Sequence, residues 1–213
     1  MKEKNIKIDS SHKIMLIIFF IVLVWSAIKP KTYLTWFVEA LPALIIVFVL
    51  MVTYKKFKFS TFVYMVVLIH TIIILIGSKY TYERNPFFDY LMQRFDLNRN
   101  YYDRIGHLAQ GFTPALIAKE IFLRKGYLKK SKMFYFIVIS VVLAISASYE
   151  IIEFAAARIA RVPGYMVLSY QGDEWDTQWD MLMALTAGII ALTVFSGIHD
   201  RSMEKIVEKN SEV

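Results

Sequence analysis

Six side chains in this sequence have types and spacings that could do chemistry together. Asp103 with His107 is an i, i+4 pair, Glu150 with Glu153 an i, i+3 pair, and Asp176 with Asp180 a second i, i+4 pair. Residues three or four apart share a helix face, so each pair turns both groups towards the same neighbour if its stretch is helical. Carboxylates with an imidazole and no thiolate suit hard or borderline divalent ions such as Mg, Mn, Fe or Zn. Helical bundles hold such ions with pairs at these spacings. The chain has no cysteine, which excludes disulfides, thiolate ligands and cysteine nucleophiles.

The last pair belongs to Tyr170-Gln-Gly-Asp-Glu-Trp-Asp-Thr-Gln-Trp-Asp180, which carries four carboxylates in eight residues and runs into an apolar stretch. Burying one ionised carboxylate costs several kcal/mol unless it is paired or bound to a cation. Either some of the carboxylates are protonated or paired with Arg104, Arg158 or Arg161, or a divalent ion neutralises the cluster. On the second reading His107, Glu150, Glu153, Asp176 and Asp180 are metal ligands. Asp103 orients His107 or serves as a base, and Arg104 contacts an anionic headgroup. Other polar residues have plainer readings. Asp103-Arg104 also suits a helix start with an interfacial anchor, Asp173 and Glu174 a solvated loop, and Trp175 and Trp179 an aromatic belt. His70 suits an interhelical hydrogen bond.

Composition dictates the scaffold. Of 213 residues 57% are hydrophobic and 15% aromatic, and the mean hydropathy is +0.46, too apolar for a soluble domain. The net charge of +7 does not point to nucleic acid, because the basic residues sit in short segments between apolar runs and mark the cytoplasmic side of a membrane. The runs predict an all-α, polytopic bundle of six transmembrane helices over residues 14–28, 33–54, 59–78, 102–123, 133–157 and 178–198, each near the roughly 20 residues a span needs. A short interfacial helix is expected at 86–95, between spans three and four, and a polar tail after 198.

Without internal repeats or a long linker, residues 1–213 read as one membrane domain. Lys2, Lys4, Lys7 and Lys13, the lysines at 55, 56 and 58, the basic loop 124–132 and the basic tail fall on one side, the richer in Lys and Arg, which places both termini in the cytoplasm. The chemistry-bearing pairs, with Glu39 of the second span, then lie towards the extracytoplasmic face.

Three strings, Tyr102-Asp-Arg-x-x-His107, Tyr149-Glu-x-x-Glu153 and Gln171-Gly-Asp-Glu-Trp-Asp-x-x-x-Asp180, together resemble the YjdF-like family of bacterial inner-membrane proteins, a domain of unknown function. Trp36-x-x-Glu39-x-x-Pro42, His70 and Tyr80-Thr-Tyr82 are similar to that family's earlier segments. The resemblance covers residues 33 to 198 and implies a multi-pass protein of the bacterial cytoplasmic membrane with a shared polar motif and no assigned substrate. A looser similarity, Asp-Arg-x-x-His with acidic residues in later spans, is to VanZ-like membrane proteins.

From the residues themselves the leading functional reading is a metal-dependent intramembrane hydrolase or transferase. It would act on a lipid or lipid-linked substrate at the extracytoplasmic face, its ion activating a water for attack on a phosphoryl or acyl centre. The alternatives are a cation- or proton-linked transporter using the same carboxylates and a structural membrane subunit. Membrane lipids are the expected partners; nucleic acid is not.

Overall fold

In the computed structural model, which describes residues 8–160 and 171–211, every regular element is helical. The helices are α1 (Ser10–Ala27), α2 (Tyr33–Thr53), α3 (Thr61–Tyr80), α4 (Pro86–Phe95), α5 (Tyr102–Arg124), α6 (Lys132–Ala160), α7 (Asp176–Thr193) and α8 (Ser196–Ser211), with a 3-10 turn at Tyr82–Arg84. Lys2, Lys4, Lys7, Arg161 and Tyr170 lie outside the described residues.

By length and apolarity four helices can cross a membrane: α1, α2, α3 and α6. They become five if α7 and α8 together form one bent span. The expected count of six is not reached, because α5 is not among them. The reason is where its charges go. Asp103, Arg104, His107, Lys119 and Glu120 are all buried, so protein covers the polar surface that hydropathy counts against the helix. The expected sixth span, 178–198 followed by a tail, also differs: α7 stops at Thr193 and the chain restarts as α8 at Ser196. Lys119, which its position near a span end would let snorkel, is instead fully buried. Its Nζ donates to Ser196 O at 3.1 Å and Oγ at 2.7 Å.

The chain divides into two compact units, Met1–Lys79 with Ile198–Val213, and Tyr80–Gly197. In the first, Phe19, Ala40, Ala43, Ile74 and Leu75 form the core of α1, α2 and α3. Alanine on α2 admits close packing of helices that have no hydrophobic drive to associate within lipid. Polar contacts pin both ends of this unit. His12 hydrogen-bonds Tyr54 Oη at 2.9 Å and Thr61 Oγ1 at 3.1 Å. At the other end Lys79 Nζ donates to the carbonyls of Trp25 and Ile28 that end α1, its charge 5.0 Å from the Trp25 ring. Glu39 (α2) and His70 (α3) belong to this unit.

The second unit packs α5 against both α6 and α7. The crossing of α5 and α7 is close enough that a Cβ on Gly111 would fall inside the backbone of Ala184. Helix α4 starts as its sequence dictates: Asn85 Oδ1 accepts from the amides of Phe87 (3.1 Å) and Phe88 (3.3 Å), and Pro86 occupies the first turn, where its missing N–H does no harm. Asp96, at φ 51°, ends it. Its exposed Phe87, Tyr90 and Phe95 suit the interfacial position expected of it.

Candidate metal centre

Three loops and three helix ends build the centre, and Asn100 ties the loops together. Its Nδ2 donates to Asn85 O (3.0 Å) and Asp89 Oδ1 (2.8 Å), and its Oδ1 accepts from the Tyr102 amide (3.1 Å) at the start of α5. The Asn100 backbone exchanges two bonds with the Gln171 side chain: its N–H donates to Oε1 at 2.9 Å, and its carbonyl accepts from Nε2 at 3.0 Å. Gln171 and Gly172, at φ 43° and 86°, turn the chain so that Asp173 can accept the Trp175 amide (3.0 Å) ahead of α7. The Gln-Gly-Asp string therefore fixes where α7 begins relative to α5.

Two arginines stand behind the centre. Arg104 Nη2 contacts Asp176 Oδ1 at 2.6 Å and Asp173 Oδ2 at 3.2 Å, while its Nη1 bonds Asp180 Oδ1 and the Asp176 carbonyl. Arg99 pairs with Asp176, with Asp173 at 3.3 Å and with Asp103 Oδ2 at 3.7 Å. Asp173 is thus no solvated loop residue. A planar guanidinium with five donors can serve several carboxylates at once, and here two of them collect Asp173 and Asp176. Trp175 and Trp179 are exposed, as belt residues should be. Arg158 is exposed too.

The remaining polar atoms face a common point. His107 Nε2 lies 3.5 Å from Asp180 Oδ1 and 3.7 Å from Asp103 Oδ1, and one ligand atom from each of the three residues falls within 4.8 Å of the others. All three residues are buried. On the other side of the ring Nδ1 meets Gln110 Oε1 at 2.9 Å and Glu150 Oε1 at 4.0 Å. Thr177 lies beside Glu150, but Glu150 Oε1 is buried without a hydrogen bond. Glu153, one turn along α6 and half-buried, is within electrostatic range of Glu150, Asp103, Asp176 and Asp180.

Of the residues the spacing singled out, Asp103, His107 and Asp180 converge, with Glu150 adjacent. Asp176 sits in the arginine clamp rather than in this trio, and Arg104 is engaged by three aspartates. Arg99, Asn100, Gln110 and Asp173 take part without having been picked out by spacing. Their signals were present but faint: Arg99 is four residues before Asp103, and Gln110 three after His107.

Among the described residues two guanidiniums face four carboxylates, those of Asp103, Asp173, Asp176 and Asp180, and Glu150 adds a fifth beside His107. A buried excess of negative charge requires protons or a cation. The donor set of two carboxylate oxygens and an imidazole nitrogen fits a divalent ion.

A family of membrane proteins, described as predicted membrane protein DUF2238, matches residues 11–201. The chain belongs to this family. The chain is also similar to the inner membrane protein YjdF of Escherichia coli (strain K12), 36% identical over 185 residues, 87% of this chain and 88% of that protein. No solved structure matches. This assignment carries the first of the two resemblances; the VanZ-like similarity draws no support from it. The Gln171-Gly-Asp-Glu-Trp-Asp176 string is the segment that supplies Asp173 and Asp176 to the arginines and sets the start of α7, and Asp180 follows one turn later.

Proposed function

We propose that this family member is a multi-pass enzyme of the bacterial cytoplasmic membrane that uses a divalent ion at Asp103, His107 and Asp180 to hydrolyse or transfer a lipid or lipid-linked substrate. In this reading the whole chain is one membrane domain and α5 is a span lined by protein. With α7 as the last span both termini are cytoplasmic, and the centre faces the extracytoplasmic side. The observation that carries the proposal is the convergence of two carboxylate oxygens on the Nε2 of a buried imidazole, with a third buried carboxylate, Glu150, 4.0 Å from the ring's Nδ1. A carboxylate spent only on holding helices together would meet a donor, as Asp173 and Asp176 do, whereas Glu150 Oε1 is buried without a hydrogen bond.

When bound, the ion would supply Lewis acidity towards a phosphoryl or acyl oxygen and an acidified water. The chain's own contribution is to exclude bulk solvent from the centre and to keep Arg104 on Asp180, leaving that carboxylate's geometry fixed. Hydrolysis adds the hydroxyl of water to phosphorus or carbonyl carbon and its proton to the departing oxygen. Glu150, with an oxygen 4.0 Å from His107 Nδ1 and no hydrogen bond on it, is the carboxylate this reading assigns to carry that proton.

Elemental analysis of detergent-purified protein tests the proposal, wild type beside Glu150→Gln/Asp180→Asn, followed by lipid-phosphate and ester hydrolysis assays. Stoichiometric metal in the wild type, lost in the folded double variant, and turnover that follows the metal are expected. No metal in either sample would end the enzyme reading.

A second reading has its own observation: α5 buries charge at both ends, with Lys119 and Glu120 as deep as Asp103, as a cation or proton pathway would. Cation flux in proteoliposomes that Glu153→Gln abolishes would favour it.

A further inference from the structure

The centre also indicates which class of ion it takes. We propose that Asp103 Oδ1, His107 Nε2 and Asp180 Oδ1 form a three-ligand site selective for a borderline first-row ion of the Zn2+ type over Mg2+ and Ca2+, with Gln110 as the positioning residue that makes His107 a ligand. The inference rests on the metal reading above and extends it to the metal's identity.

Gln110 decides the imidazole's chemistry. The ligand role requires the tautomer in which Nδ1–H donates to its Oε1, 2.9 Å away, since that tautomer leaves Nε2 a lone pair. That lone pair points at two carboxylate oxygens 3.5 and 3.7 Å away. Three electron-rich atoms therefore face one another, spaced beyond ordinary hydrogen-bond length. With ligand bonds of about 2.1 Å a tetrahedral ion sets its ligands about 3.4 Å apart, close to the two distances from Nε2, and all three ligand atoms lie within 4.8 Å of one another. A metal-bound histidine characteristically donates its other ring N–H to an oxygen acceptor, and Gln110 is that acceptor.

The surrounding groups complete the pattern. Asp180 Oδ1 also receives Arg104, and the second oxygen of Asp103 faces Arg99, so both ligating carboxylates are held from behind. Glu150, nine-tenths buried with an oxygen that makes no hydrogen bond, is a separate observation directed at the same ring. Magnesium demands six near-octahedral oxygen ligands and keeps several waters, and calcium takes six to eight oxygens. Neither requirement suits three buried protein ligands that include a nitrogen. Three protein ligands with one position left over is the arrangement of catalytic rather than structural zinc.

Stripped, intact protein in detergent is titrated with Co2+ as a spectroscopic probe and then challenged with Zn2+, Mg2+ and Ca2+. The expected result is one Co2+ per chain with the intense visible bands of a four- or five-coordinate site, displaced by equimolar Zn2+ but not by a hundredfold excess of Mg2+ or Ca2+. Gln110→Ala should weaken binding about 10- to 100-fold, and Gln110→Glu, which keeps the acceptor, should restore it. His107→Gln should abolish the bands while the thermal transition shows a folded protein; Asp103→Asn provides the same reading if His107→Gln does not fold. Displacement by Mg2+ at equal concentration, or unchanged affinity in Gln110→Ala, overturns the inference, as does failure of the wild type to bind Co2+ or Zn2+. The two proposals fail separately. Zn2+-selective binding without lipid chemistry removes the enzyme reading alone, and an enzyme that works through Mg2+ removes this inference alone.

Discussion

At the scale of the residue, the centre separates carboxylates that hold the protein together from carboxylates left to bind. Asp176 and Asp180 are one helical turn apart and both are buried, yet Asp176 accepts from two arginines while Asp180 is shared between Arg104 and His107. Asp176→Asn should therefore leave the metal stoichiometry near the wild-type value, whereas Asp180→Asn should remove it; elemental analysis of both variants checks this. Arg104 is the residue whose loss should matter most for stability. Removing one partner from a buried ion network leaves charge uncompensated, at about 3–5 kcal/mol. Thermal melting in detergent should show Arg104→Met strongly destabilised, and Arg104→Met/Asp176→Asn should recover part of the loss. Equal melting temperatures for wild type and Arg104→Met would mean that the clamp bears no stability. Reading the residues from sequence singled out Asp103, His107 and Asp180, which the fold brings together, because helical spacing makes pairs visible. It missed Arg99 and Asp173, since a loop residue's partner across the fold leaves no periodic trace.

At the scale of the element, the centre exists because α5 and α7 cross at Gly111 and Ala184. Bringing Asp180 of one helix to Arg104 and His107 of the other requires the backbones to approach more closely than any side chain at residue 111 allows. Gly111→Ala must push the helices apart, since what lies in the way is backbone and cannot change rotamer. Overpacking of this sort costs about 1–3 kcal/mol or more. The expected outcome is a lower melting temperature together with weaker metal binding. Gly188→Ala is the control: its new methyl would meet the Val142 side chain at 3.3 Å, which can shift by tenths of an ångström, so both properties should change little. A result in which Gly111→Ala matches Gly188→Ala would show that the crossing is not as tight as described. The small residues were visible in the sequence, but Gly111 stood there among many that fit any membrane bundle.

At the scale of the whole molecule, the absence of cysteine makes topology directly measurable by single-cysteine labelling. With both termini in the cytoplasm, Lys56→Cys and Lys125→Cys should react with an impermeant maleimide only after the membrane is opened, and Arg84→Cys should react in intact cells. The opposite pattern would invert the molecule and place the metal centre on the cytoplasmic side. Composition and hydropathy by themselves determined the class of the protein. A chain this apolar must place helices in lipid, because no other element made of one continuous segment satisfies its own backbone there, and the element boundaries followed within a few residues for most of the chain. The α4 start was legible because Asn85 and Pro86 are local signals. What only the tertiary structure decided is which charged residues face which. It showed that α5 is a helix whose charges are covered, that the apolar run ending near 198 breaks before α8, and that two arginines gather Asp173 and Asp176 and also reach Asp103 and Asp180, which face His107. Spacing along a helix determines the face a side chain shares, since the helix is periodic; what lies opposite that face depends on contacts between segments up to 77 residues apart, and no local pattern encodes them.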